Sequence, residues 1–197
     1  MRRSAAILAI CSLAAIVYAQ LGRTDQVKLQ QLRNLGKAFY ENPTTQKEAV
    51  EQFKAALALA PDAPRELLNY ALALLRAGDT EGGVAQLEKT QKLDPKLPHT
   101  WFNLGIAYQK QGDFDRALIQ FEKFVELVPA EPVGHYHLGT LNKLKGDAAV
   151  AGKEFEAARN LNPRLAAPHF QLYGIYRQQN RAADAASEMS VFQALKK

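Results

Sequence analysis

Pro61, Pro95, Pro129 and Pro163 stand 34 residues apart, and the residues between them recur in matching order. Gly78-Asp79, Gly112-Asp113 and Gly146-Asp147 keep the same step, as do Leu104-Gly105 and Leu138-Gly139, and as do Leu68, Phe102, Tyr136 and Phe170. Several registers sharing one period mean that most of the chain is one small unit copied in tandem. The 197 residues, 47% of them hydrophobic, therefore build a stack of units with a shared apolar interface, and the domain count is one.

The clearest copy runs from Pro98 to Glu131. Trp101, Leu104 and Tyr108 fall at i, i+3 and i+7 on one helical face, and His99, Phe102, Ile106 and Lys110 lie on a second face at the same pitch. Gly112 ends this helix, because glycine accepts the left-handed conformation of a helix terminus, and Asp113 is placed to cap the next one. Ala117, Phe121, Phe124 and Val128 then recur at three- and four-residue steps until Pro129. Gly105 carries no side chain on the packed face and so lets two helices approach closely, at about 1 kcal/mol of helix propensity. Two antiparallel helices per unit leave an apolar flank that the next unit covers.

The first 19 residues differ. Arg2 and Arg3 precede an uncharged apolar run from Ala5 to Val17 that ends Val17-Tyr18-Ala19, the pattern of a secretory signal peptide. The run is short of the ~20 residues of a spanning helix, so membrane attachment is expected only if this segment stays uncleaved. Cleavage after Ala19 removes Cys11, the sole cysteine, and excludes disulfide and thiol chemistry. It also lowers the formal charge from +5 to +3, since the segment holds two arginines and no acid; this is too weak a basic bias to indicate nucleic acid. Export to a bacterial periplasm or the extracellular space is the expectation.

With Trp101, Leu104, Gly105, Tyr108, Ala117, Phe121 and Pro129 in place, the unit resembles the tetratricopeptide repeat (TPR), whose pattern opens W-x2-L-G-x2-Y and closes on a proline. The copy at 132–165 keeps Leu138, Gly139, Ala151, Phe155, Ala158 and Pro163 but has His135 for the Trp and Asn142 for the Tyr. The copy at 64–97 has Leu67, Tyr70, Ala71, Leu74, Gly83 and Leu87 at such positions, and Gly82-Gly83 is expected to weaken a helix start. The copy at 29–63 keeps Leu35, Gly36, Phe39, Ala49, Phe53, Ala56 and Pro61 with one extra residue in its turn; that at 166–197 keeps Leu172, Tyr176, Ala185, Met189 and Phe192. The resemblance implies an all-α fold, a right-handed α-solenoid of about five helix-turn-helix repeats. A signal peptide (1–19) and a lead-in (20–28) precede the TPR domain (29–197).

It further implies a non-catalytic scaffold or adaptor of the cell envelope that holds a partner peptide or protein in a concave groove lined by first helices. Leu68, Phe102, Tyr136 and Phe170, with Leu72, Ile106, Thr140 and Gly174 one turn later, form an apolar and aromatic strip there; either they pack against neighbouring helices or they anchor a partner. Arg76, Lys110, Lys143 and Arg177, in last turns, suit an acidic partner and equally compensate helix dipoles. Asn34, Asn69 and Asn103 recur beside the strip, with His137 and Gln171 in later copies, and amides there can bond a peptide backbone. The carboxylate-clamp subgroup is matched by Asn69, but Lys37 stands where that subgroup has a second asparagine, and His99 and Asn103 stand where it has basic residues. The expected groove residues are thus Asn34, Lys37, Leu68, Asn69, Leu72, Arg76, Phe102, Asn103, Ile106, Lys110, Tyr136, His137, Phe170 and Arg177.

His135 and His137 project roughly 200° apart on one helix and do not chelate one ion. With no phosphate loop and no nucleophile motif, no cofactor, metal or catalytic role is expected. The alternative function is a self-associating or membrane-tethered assembly component. It would use the uncapped last helix, where Ala185, Ala186, Met189, Phe192 and Leu195 face inward or toward a missing repeat, and it allows a homo-oligomer.

Overall fold

The computed structural model describes residues 22–196, so the expected signal peptide lies outside the described residues. Among these the chain forms ten α-helices and no strand: α1 (Arg23–Glu41), α2 (Gln46–Leu59), α3 (Pro64–Arg76), α4 (Thr80–Leu93), α5 (Pro98–Lys110), α6 (Phe114–Leu127), α7 (Pro132–Leu144), α8 (Ala148–Leu161), α9 (Ala166–Gln178) and α10 (Ala182–Leu195). They are five helix-turn-helix repeats of an α-solenoid. Residues 23–28, read from the sequence as lead-in, are the first turns of α1. The chain divides into two compact units within α5, one through Leu104 and one from Gly105. In the first unit α1 packs on α2, α2 on α3 and α3 on α4; in the second the same chain of contacts runs from α6 to α10.

The turns inside the repeats follow from their dipeptides. Gly112 has φ +79°, and Gly78 and Gly146 sit in the same left-handed region, where a Cβ is strained. The aspartate that follows each glycine then accepts a hydrogen bond from a first-turn N–H: Asp79 from Gly82 at 2.9 Å, Asp113 from Arg116 at 3.0 Å and Asp147 from Val150 at 3.0 Å. Such a cap contributes about 1 kcal/mol. The fifth repeat has Asn180 at φ +59° instead, followed by Arg181, which makes no side-chain cap.

In three of the hairpins an aromatic ring is laid on a glycine. A Cβ on Gly36, Gly105 or Gly139 would stand 2.8, 2.8 or 2.7 Å from the ring of Phe53, Phe121 or Phe155. Gly105 thus makes room for a phenylalanine that is fully buried, worth about 2 to 3 kcal/mol of transfer free energy. The second repeat inverts the arrangement. Ala71 occupies the first helix, Leu87 replaces the ring, and the glycine moves to the second helix, where a Cβ on Gly83 would meet Leu75 at 2.6 Å. Gly82-Gly83 does not interrupt α4, which runs unbroken from Thr80 under the Asp79 cap.

The turns between repeats carry a second recurring bond. The carbonyl of Pro95 accepts from the indole Nε1 of Trp101 at 2.8 Å. His135 and His169, which stand where the next two repeats would have the tryptophan, place Nε2 at 3.1 Å from the Pro129 carbonyl and 2.9 Å from that of Pro163. Histidine therefore keeps the nitrogen of the missing indole. Its other nitrogen meets a carboxylate of the following helix, Glu154 at 2.8 Å and Glu188 at 2.6 Å. Glu188 is buried and is also held by Arg159 of α8. In the first unit buried Glu66 of α3 is gripped by Arg33 of α1, with Nε at 3.1 and 3.2 Å from its two oxygens.

Leu35 departs from its repeat position. Leu104, Leu138 and Leu172 are buried, whereas Leu35 is 48% exposed. No earlier repeat lies beside α1 among the described residues to cover it.

Candidate partner-binding surface

In the first unit, residues of the first helices α1 and α3, together with Phe53 of α2, frame a cavity of about 360 Å³. Asn34, Lys37, Asn69 and Leu72 line it together, joined by Gln30, Arg33, Tyr40 and Arg65. Asn34 accepts from Gln30 Nε2 at 2.9 Å. Asn69 is half-buried and its amide makes no hydrogen bond among the described residues, leaving a donor and an acceptor for an incoming group. Lys37 pairs weakly with Glu41 at 3.9 Å, and both side chains are largely exposed. Arg76 lays its guanidinium 4.8 Å from the centre of the Tyr40 ring. The cavity joins amides, apolar surface at Leu72 and Phe53, and the basic Arg33, Lys37 and Arg65 with the acid Glu41 beside them, an arrangement suited to an extended peptide.

Arg33 and Tyr40 escape the 34-residue step because the extra residue in the first turn moves the register by one. Leu68 and Asn69 then correspond to Arg33 and Asn34. Leu68 itself is buried, and Phe102 and Asn103 are half-buried. The Asn103 amide donates to the His99 carbonyl at 2.7 Å and so turns back on its own helix.

In the second unit the corresponding face differs in character. Ile106, Tyr136 and His137 are half-buried, Lys110 and Arg177 exposed, and Phe170 is 49% exposed. Tyr136 packs on Phe155 with ring centres 5.8 Å apart. His137 lies flat on Phe121 at 4.6 Å and 4°, with Nδ1 3.1 Å from Gln109 Oε1. Burial against that ring pulls the imidazole from 6.5 down to about 4, so it is neutral at physiological pH. Gln171, the last of the amide series, accepts from Lys143 Nζ at 2.8 Å. The series is thus uniform in sequence position but not in use. Among the described residues no group of three or more His, Cys, Asp or Glu could hold a metal ion.

Two family models described as tetratricopeptide repeat match the chain, over residues 98–131 and 47–98. No curated protein sequence matches it. Solved structures that resemble it include MamA 41-end from Desulfovibrio magneticus RS-1, 21% identical, with 86% of this chain and 95% of that one covered and a TM-score of 0.75. The MamA RS-1 ArsTM double mutant is also 21% identical, with 86% and 94% covered and a TM-score of 0.76. The pilF structure from Pseudomonas aeruginosa is 14% identical, with 87% and 78% covered and a TM-score of 0.78. These likenesses are of fold. Stacked hairpins with open first-helix faces define a class, the helical-repeat scaffold for protein–protein interaction, which is in general not catalytic. The chain carries tetratricopeptide repeats over residues 47–131.

Proposed function

We propose that the protein is a non-catalytic adaptor of the cell envelope that holds a segment of a partner protein against the first helices of its repeats. The observation that carries this reading is the cavity between α1 and α3, where Asn34, Lys37, Asn69 and Leu72 come together from two repeats. An extended segment there would bond the unsatisfied Asn69 amide and rest on Leu72, while Lys37 and Arg65 favour acidic side chains. Envelope placement rests on the sequence of residues 1–19 and requires export and cleavage, so mass spectrometry of the mature protein should find a chain that begins at Gln20.

The direct test is affinity capture from envelope extract by the wild-type protein and by an Asn69→Ala, Leu72→Glu variant whose helicity is unchanged by circular dichroism. A protein retained by the first and lost from the second supports the adaptor. Equal retention by both removes the cavity from the reading.

A second reading, self-association through the last helix, is favoured by Val191, 37% exposed on α10, beside half-buried Phe192 and Leu195. Light scattering that finds only monomer at high concentration eliminates it.

A further inference from the structure

Every first helix but one that contains an interior glycine uses it to seat a phenylalanine or a neighbouring helix. Gly36, Gly105 and Gly139 lie under rings, and Gly134 lies against Phe124 and Val125, where a Cβ would come within 2.7 Å. Gly174 is the exception. It stands in the middle of α9, and a Cβ built on it meets nothing within 4 Å. Glycine at such a place weakens the helix relative to alanine, and no packing within the chain accounts for it. The other repeats put Lys37, Leu72, Ile106 or Thr140 at the equivalent position, so α9 alone leaves bare backbone there.

The surroundings of this gap are built. Phe170, one turn before Gly174, is 49% exposed, yet it is held by Tyr173 at 6.4 Å and Phe192 at 5.1 Å between ring centres. Arg177 stacks on Tyr173 at 5.6 Å and donates to its hydroxyl at 3.1 Å. Lys196 lies over Phe192 at 5.2 Å. Lys143 of the neighbouring first helix reaches Gln171. Among the described residues none of these three cations pairs with a carboxylate. An exposed aromatic wall, bare backbone beside it and a rim of uncompensated positive charge share one side of α9.

We propose that Gly174 is the floor of a seat for a bulky apolar side chain carried on an acidic segment of a partner protein. The side chain would lie on the α9 backbone against Phe170, and its flanking carboxylates would meet Arg177, Lys143 and Lys196. Glycine permits this close approach, fixed aromatic residues anchor such contacts, and the unpaired cations select for acid. The proposal rests on the adaptor reading and adds the chemistry of the partner and the repeat that selects it.

The test uses a displayed library of random twelve-residue peptides panned on the purified protein and on three variants: Gly174→Leu, Arg177→Glu, and Asn69→Ala, Leu72→Glu. Wild-type protein should enrich peptides with Leu, Ile, Met or Phe within three residues of Asp or Glu. Gly174→Leu and Arg177→Glu should each weaken those peptides at least tenfold, and each by a larger factor than the Asn69→Ala, Leu72→Glu variant does. Enriched peptides without that pattern, or peptides lost only from the Asn69, Leu72 variant, overturn the seat and leave the adaptor standing. Failure of every form to enrich any peptide overturns both. A separate melting curve guards the premise. Gly174→Ala should raise Tm by about 2 to 4 °C, and a fall would show that the glycine serves packing and that no seat exists.

Discussion

His137 shows how one residue's position sets its chemistry. It lies on Phe121, and burial lowers its pKa from 6.5 to about 4. Below pH 6.5 the unfolded chain takes up a proton that the folded chain refuses until pH about 4, so this ring contributes a loss of stability as pH falls across that window. The loss is about 2 kcal/mol once the ring's partial solvent exposure is allowed for. His137→Asn, the residue at the same place in the third repeat, should remove that pH dependence, measured as the wild-type-minus-variant difference in urea unfolding at pH 7 and pH 4.5. Thr100 offers a second residue-scale case. Its hydroxyl is fully buried and has no hydrogen-bond partner among the described residues, so Thr100→Val, which keeps the shape and removes the stranded polar group, should gain about 1 kcal/mol in the same assay.

At the scale of helices, the joints between repeats depend on buried charge. Glu188 takes His169 and Arg159 from two preceding helices. Glu188→Ala leaves both without their carboxylate, and a loss of about 3 kcal/mol is expected. Glu154, at the same repeat position but 26% exposed and, among the described residues, bonded to His135 alone, should cost less than half as much when changed to Ala. Equal losses in chemical denaturation would refute the account. The sequence makes the joints inside repeats readable, since Gly112-Asp113 and its copies announce the left-handed turn and the cap that the structure contains. It also makes the apolar faces readable, through Ala117 and Phe121 and their copies. The joints between repeats are harder, because a histidine in a tryptophan's place reads as divergence until distance shows that one ring nitrogen does the work of the other. The cavity was half readable. Asn34, Lys37, Asn69 and Leu72 follow from the repeat register once the extra residue of the first turn is counted, but Arg33, Tyr40 and Arg65 join them only through how α1 meets α3. Gly174 is readable in the sequence as a glycine one turn after Phe170, at the place of Leu72, Ile106 and Thr140, but that nothing packs over it is visible only in the structure.

Across the whole molecule, stability is a sum of repeats and their interfaces rather than of one core. A helix with a neighbour on each side should be more protected than one with an open side. Amide hydrogen exchange should therefore be slow in α8, which packs on both α7 and α9, and fast in α10, which packs on α9. Uniform protection across the second unit would contradict this. Val27 and Leu35 on α1 and Val191 on α10 are apolar residues that such open sides leave in solvent.

The bond from a ring nitrogen to the proline carbonyl six residues earlier makes the repeats interchangeable parts. If residues 132–165 were inserted a second time after position 165, the new copy of His135 would meet the carbonyl of Pro163, and the copied proline would meet His169. Both junctions would then use bonds that the chain already makes. The array can thus lengthen by whole units while keeping this bond at every new joint.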